Sequence, residues 1–458
     1  MRLFLLQKSM TLRELYDIFL TGRGISTDSR TAKRGQIYVA LTGPHHDGND
    51  YAREALEKGV KVAIVNRSPY NRKSKRVLVV KSPLAILQKL AQYHRRNIPA
   101  KVMALTGSNG KTTTRALIMA LLERKYKVNG TKGNLNNHIG LPLTILSAKE
   151  SDEILILEMG ANHVGEIAKL AEIAEPDYGL ITNIGKAHLE GFGGLEGVKQ
   201  GKSELYQALG KSDSIAFVNG KGEHLLQMST VVFNKVFYNQ RLDVEYSALR
   251  THLDEVRLTD RGLAFIMKTR TAEYPVETSL QGLYNINNVC AAVTVAEYFN
   301  VEMEDIVSVL ENFEMPANRS QELTREGIRF TADAYNANPT SVSAALDSFG
   351  RKPGKKKHVI LGAMKELGDA SAAEHLEMAK LAKKIRGAKI YLVGTEFAEA
   401  AEQVGLAHYA TTEDLIRDVK SLLAAGDQVL LKGSRAMHLE DVIDQYEEPV
   451  IEDEESAA

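Results

Sequence analysis

At 458 residues the chain is too long for one ordinary core, and at roughly 150 residues per domain it divides into about three units. Lys plus Arg and Asp plus Glu balance at 58 each, which excludes a global field for nucleic acid or an anionic membrane and leaves small molecules as the expected partners. The one cysteine, Cys290, excludes an intrachain disulfide framework, and no run of about 18 apolar residues is free of charge, so a reducing compartment (the cytoplasm) and no membrane span are expected. A monomer is the expected assembly.

Residues 1–8 are too short an apolar run for a secretory leader and read as an edge element. β-rich runs at 37–41, 60–65 and 77–80 alternate with helical patterns at 51–58 and 82–96, which makes a small α/β unit. Asn97-Ile98-Pro99 ends the second helix before a strand at 102–106, so a boundary falls near residue 99. A helix at 112–124, a strand at 154–157, a helix at 165–174 and a strand at 178–182 predict a parallel sheet with helices on both faces. A β-rich stretch at 214–276 is expected to interrupt that sheet. A helix at 285–299 follows, and a second boundary falls near 313–316. The last third alternates again, with strands at 358–361, 388–393 and 428–432 and helices at 372–384 and 412–423, a Rossmann-like unit. The predicted fold is α/β in three domains: a substrate domain at 1–99, a phosphate-loop domain at 100–314 and a C-terminal domain at 315–458. Basic runs at 67–81 and 351–357 read as solvated loops, and the acidic stretch 447–458 as a frayed tail.

Chemistry concentrates where strands run into helices. In Gly107-Ser108-Asn109-Gly110-Lys111-Thr112-Thr113 the glycines let backbone N–H groups approach phosphate oxygens, Lys111 can neutralise the β and γ phosphates, and the Thr112 hydroxyl can ligate Mg²⁺. The first glycine of the usual phosphate loop is missing, since position 105 is Leu, and a shortened loop by itself could be a helix-start turn; the flanking strand and helix favour nucleotide binding. Glu158 ends the strand at 154–157, at the sheet edge where ligands collect, and is either a magnesium ligand or a charge facing water. His188 follows the strand at 178–182 and is by itself either a ligand or a hydrogen-bonded surface histidine. Lys202, in a helical stretch at 197–209, is by itself one helix lysine among many.

Set together, these residues resemble the Mur ligases, ATP-dependent amide-forming enzymes of peptidoglycan precursor synthesis, and the likeness covers nearly the whole chain. The family's T-G-T/S-N-G-K-T-T loop is matched by residues 106–113, its N-I-x-x-A-H-L-E segment by 183–190, and its A-K-x-E-I segment by 201–205. The resemblance implies that Lys202 reacts with CO₂ to become a carbamate, whose hard oxygens suit Mg²⁺ as an ammonium does not, and that His188 and Glu158 hold a second magnesium. The family's G-x-H-N-x-x-N segment appears at 282–288 with Tyr284 in place of His, which implies Asn285 and Asn288 near the adenine.

Stretches at 134–137, 158–163, 333–339, 361–368 and 432–435 look like signatures of the member that adds D-alanyl-D-alanine. They imply substrate roles for Asn134, Asn136, Asn137, Asn336 and Asn338 and a nucleotide role for Asp333; the resemblance as a whole implies one for Arg319. Taken alone, residues 333–339 have the composition of a β-turn and 432–435 that of a loop. Ala332 and Ala363 stand where that member usually has acids. Ser29, Arg30 and Asp47 lie in segments resembling the part that receives the UDP end of the substrate. The implied reaction joins D-Ala-D-Ala to UDP-N-acetylmuramoyl-tripeptide through an acyl phosphate, using ATP and Mg²⁺, with closure of the third domain bringing Arg319, Asp333 and Asn336 toward the nucleotide. The alternatives are another Mur-type or folylpolyglutamate-type amino-acid ligase, or a nucleotide-binding protein without catalysis.

Overall fold

The structure, a computed structural model, describes residues 5–6, 10–67, 76–239, 251–315, 321–354 and 356–448. Three parallel-rich sheets follow one another along the chain. The first pairs Ile25–Ser26, Ile37–Val39, Val62–Val65 and Val77–Val79 in parallel, in that order. Its helices are built by local signals. Thr11 and Glu14 form a reciprocal capping box at the start of Leu12–Leu20, a helix the sequence reading passes over, and this helix buries Leu15, Tyr16 and Phe19. Ser82 caps Pro83–Arg95, where Pro83 at the first position needs no hydrogen-bond partner, and Ile86, Leu87, Leu90 and Ala91 form its buried stripe. That stripe lies against the helices Gly140–Ser147 and Glu166–Ala174, which couples the first unit to the second.

The central sheet runs Val128–Gly130, Ile154–Glu158, Lys101–Thr106, Tyr178–Ile181, Ile215–Asn219 and Asn234–Tyr238, all parallel. Continuous apolar runs such as Ile154–Glu158, buried at every position, are what a strand covered on both faces requires. The expectation that residues 214–276 interrupt the sheet needs correction. Ile215–Asn219 and Asn234–Tyr238 extend it, joined through the short helix Glu223–Met228, and only His252–Leu258, Leu263–Lys268 and Glu273–Glu277 form a separate antiparallel sheet. Six helical residues carry too little periodicity to be distinguished from a loop in a β-rich stretch.

The last sheet runs Gln321–Arg325, Ile328–Asp333, Gln428–Lys432, Lys357–Gly362, Ala388–Val393 and Ala407–Tyr409, with only the first pair antiparallel. One continuous apolar cluster reaches from Leu15 through Leu157 and Leu205 to Leu361, so the units share packing rather than hanging on linkers. Among the described residues no helix is long and apolar enough to cross a membrane. The tail beyond 448 lies outside the described residues.

Candidate active site

Strand Lys101–Thr106 delivers the chain at the C-terminal edge of the central sheet, and the helix Lys111–Leu122 departs from it. The loop between them is folded by close approach. Gly107 sits at φ +143°, where an added Cβ would lie 2.0 Å from Thr182 Oγ1; Gly110 sits at φ +78°, where one would lie 2.5 Å from Asn288 Oδ1. Hydrogen bonds tie this loop to the end of the neighbouring strand. Ser108 N donates to Asn183 O (3.0 Å), Asn109 N to Asn183 Oδ1 (3.0 Å), and Thr182 Oγ1 to Asn109 O (2.6 Å). Lys111 Nζ lies across the loop, donating to the carbonyl of Gly107 at 2.7 Å.

Behind the loop, Glu158 is 2 % exposed, so it is not a strand-end charge facing water. Its carboxylate accepts from Thr112 Oγ1 (3.0 Å), Asn136 Nδ2 (2.8 Å) and Arg115 Nη1 (3.0 Å), the last a buried ion pair. Arg115 was given no role from the sequence; its position four residues after Lys111, one turn along the same helix face, was the available signal. The Thr112 hydroxyl and the Glu158 carboxylate are adjoining hard oxygen donors on one cavity wall, a set that fits magnesium. Among the described residues no three His, Cys, Asp or Glu side chains cluster as a metal cage, and Mg²⁺ characteristically completes its shell with water and phosphate oxygens.

A cavity of about 1110 Å³ opens over this loop. The structure brings to its walls Ser108, Asn109, Gly110, Lys111, Thr112, Thr113, Asn134, Asn136, Asn137, Glu158, His188, Asn285, Asn288, Asp333 and Asn336. Leu84 and Gln88 of the first unit and Lys432 of the third, none given a role from the sequence, line it too. Lys432 ends the strand beside Asp333, in register with it, and their side chains pair at 2.9 Å while Lys432 Nζ also holds the Asn336 carbonyl. Asn285 and Asn288 are buried and bonded to each other, and Asn288 accepts from Thr114 Oγ1 on the phosphate-loop helix (3.1 Å).

Other residues lie elsewhere. Asn338 caps the helix Pro339–Arg351 and donates through Nδ2 to Asn109 Oδ1 at 2.7 Å, linking the third unit to the phosphate loop. Ser29 is buried against Glu54, Arg30 pairs with Asp28 in solvent, and Asp47 caps the turn Gly48–Tyr51 while pairing with Arg67; none of these three lines the cavity. Arg319 falls outside the described residues. Tyr284 lines the cavity, whereas Ala332 and Ala363 are buried in apolar core.

Lys202 is 1 % exposed, one layer behind the cavity wall. Its Nζ donates to Ala161 O (3.2 Å) and lies 5.1 Å from the centre of the Phe192 ring. Burial, with Lys111 nearby, holds its ammonium well below the usual lysine range, so the free amine is favoured. His188, at φ +54°, is hydrogen-bonded through Nδ1 to Glu366 of the third unit.

The parallel sheets, the phosphate loop and a cavity walled by all three units define a multidomain phosphate-loop protein. Comparison with known proteins narrows the class. Residues 22–95 match the Mur ligase family catalytic domain, 105–296 the Mur ligase middle domain, and 318–435 the Mur ligase glutamate ligase domain. The chain is 34 % identical to the UDP-N-acetylmuramoyl-tripeptide--D-alanyl-D-alanine ligase of Bacillus subtilis, over 93 % of this chain and 94 % of that one. Among solved structures it is similar to MurF from Acinetobacter baumannii (30 % identity, TM-score 0.82, covering 92 % of each chain). It is likewise similar to MurF ligase from Thermotoga maritima in complex with ADP (29 %, TM-score 0.81, covering 93 % of this chain and 97 % of that one). The chain belongs to the Mur ligase family and is an ATP-dependent amide-bond-forming ligase.

Proposed function

We propose that the chain joins D-alanyl-D-alanine to UDP-N-acetylmuramoyl-tripeptide at the expense of ATP, making the pentapeptide precursor of peptidoglycan in the cytoplasm as a monomer. The observation that carries this reading is the single cavity lined by the phosphate loop, by Leu84 and Gln88 of the first unit, and by Asp333, Asn336 and Lys432 of the third. A reaction that must hold a nucleotide, a long nucleotide-linked acid and an amine together needs such a convergence. The division into substrate, ATP-binding and acceptor units at 1–99, 100–314 and 315–458 belongs to the same reading.

In the first step the terminal carboxylate of the tripeptide attacks the γ-phosphorus of ATP, ADP departs, and an acyl phosphate forms. The dipeptide amine then attacks the acyl carbon, phosphate leaves with the C–O electron pair, and the amine loses a proton. Backbone N–H groups of 107–113 and Lys111 cradle the phosphates, lowering the repulsion between carboxylate and γ-phosphate. Magnesium held by Thr112, and a second ion held by Glu158, His188 and a carbamate on Lys202, would neutralise further charge on the transferring group. Asn285 and Asn288 hold the floor of the nucleotide site. Arg319 and Asp333 act on the nucleotide, and Asn134, Asn136, Asn137, Asn336 and Asn338 on the peptide substrates. Ser29, Arg30 and Asp47 receive the uridine diphosphate end.

The test is incubation with ATP, Mg²⁺, UDP-tripeptide and a panel of amino acids and dipeptides. The expected result is pentapeptide and phosphate formed together only with D-Ala-D-Ala. Phosphate release indifferent to the dipeptide, or a better single amino-acid acceptor, would overturn it.

A further inference from the structure

The contact between His188 and Glu366 joins two units through two residues that both have unfavourable backbones. His188 stands at φ +54° and Glu366 at φ +61°, a region that side-chain-bearing residues seldom occupy. The main chain fixes the same contact, since Glu190 N donates to Glu366 O at 3.1 Å, and Gly368 approaches Glu190 so closely that an added Cβ would lie 3.3 Å from its side chain. The Glu366 carboxylate takes His188 Nδ1, while His188 lines the phosphate cavity and, on its other side, a smaller cavity of about 190 Å³ that Glu366 also lines. Among the described residues His188 Nε2 has no hydrogen-bond partner.

We propose that Glu366 is a positioning residue for the second magnesium site: by accepting the Nδ1 proton it fixes the tautomer that leaves the Nε2 lone pair of His188 free for the metal. Magnesium prefers oxygen donors, so an imidazole serves it only when its free nitrogen is held in place, and a carboxylate on the far ring nitrogen fixes both the tautomer and the ring orientation. Because Glu366 comes from the third unit, the histidine is set as a ligand only when that unit lies against the central one. The site is thereby completed by the closure that excludes water from the acyl phosphate. This rests on the reading of His188 as a magnesium ligand, and the experiment separates the two.

The probe is Mn²⁺ in place of Mg²⁺, titrated into the full chain with a non-hydrolysable ATP analogue. Bound ions are counted by electron paramagnetic resonance, and nitrogen ligation is read from the hyperfine coupling of the imidazole. Glu366→Ala is expected to weaken the second ion by roughly 10–100-fold and to diminish the nitrogen coupling, leaving the first ion within about twofold. Glu366→Gln, which keeps an acceptor for Nδ1 without the charge, is expected to fall between, and it serves alone if the alanine variant does not fold. Lys186→Ala, which removes the neighbouring ion pair to Glu374 between the same units, is expected to leave both ions unchanged. Unchanged or tighter binding of the second ion in Glu366→Ala overturns the proposal, as does an equal loss in Lys186→Ala, since closure alone would then account for it. A His188→Ala variant that keeps both ions overturns instead the assignment of His188 to the metal.

Discussion

Glu158 and Lys202 illustrate how differently two buried charges are handled near one cavity. Glu158 is paired with Arg115, and truncating the arginine leaves a buried carboxylate without its ion-pair partner. Arg115→Ala is expected to lower unfolding stability by about 3–5 kcal/mol, read by chemical denaturation, and to weaken ATP binding in the same variant. Among the described residues Lys202 has no carboxylate within ion-pair distance, and its burial shifts it toward the free amine, the form that attacks CO₂. In enzyme equilibrated with ¹³CO₂ a carbamate resonance is expected by NMR, absent in Lys202→Ala, which keeps ATP binding while losing turnover. The sign of the pH dependence follows from the lowered ammonium. The amine remains available below the pH at which an exposed lysine is charged, and carbamate and activity are lost together as acidification reprotonates it. A wild-type spectrum without the resonance would remove the carbamate from the mechanism. The phosphate loop was legible in the sequence because its requirements are local: two glycines, a lysine and a hydroxyl between a strand and a helix. The state of Lys202 was not, because its burial comes from tertiary packing, with Phe192 brought over by a turn and Ala161 from 41 residues away.

Among elements, the helix Pro339–Arg351 shows what the sequence concealed. Residues 333–339 read as a turn if taken alone, and they do turn, but the turn ends in Asn338 as a helix cap with Pro339 at the first helical position. The same asparagine reaches the phosphate loop through its amide nitrogen. Asn338→Ala is expected to cost about 1 kcal/mol of stability from the lost cap. Asn338→Ser, which caps but cannot donate to Asn109 in the same way, is expected to keep stability and raise KM for ATP; equal KM values in the two forms would show that the link to Asn109 does not matter. Long strands such as Ala388–Val393 and Gln428–Lys432 were found at the expected positions because a fully apolar run leaves little choice. The strands Ile215–Asn219 and Asn234–Tyr238 lie in the stretch expected to interrupt the central sheet yet extend it, since pairing partners are not written in local periodicity.

At the scale of the whole molecule, two buried histidines make stability respond to pH, one between units and one within the third. His94 Nε2 donates to the Ala148 carbonyl (2.9 Å) and its Nδ1 accepts from the Tyr16 hydroxyl (3.0 Å), so a neutral imidazole ties the first unit to the second. His375 is neutral in the same sense, accepting from Met364 N and donating to Ser371 O. Burial lowers both below the ordinary histidine value. Above about pH 6.5 neither folded nor unfolded chain protonates them; as pH falls through that value the unfolded chain takes up protons the folded one refuses, and stability declines. Urea midpoints measured from about pH 8 to about pH 5 are expected to fall on the acid side, with a shallower fall in His375→Gln. A flat profile would mean that other groups compensate.

Cys290 lies in the helix Ile286–Tyr298, where burial pushes its thiol up to about 12. At neutral pH it therefore carries almost no thiolate and reacts slowly with alkylating reagents. With no other sulfhydryl in the sequence, the native chain is a ready background for site-specific labelling. A fluorophore pair on cysteines introduced at exposed positions of the first and third units would report their approach on adding nucleotide, without first removing a native residue.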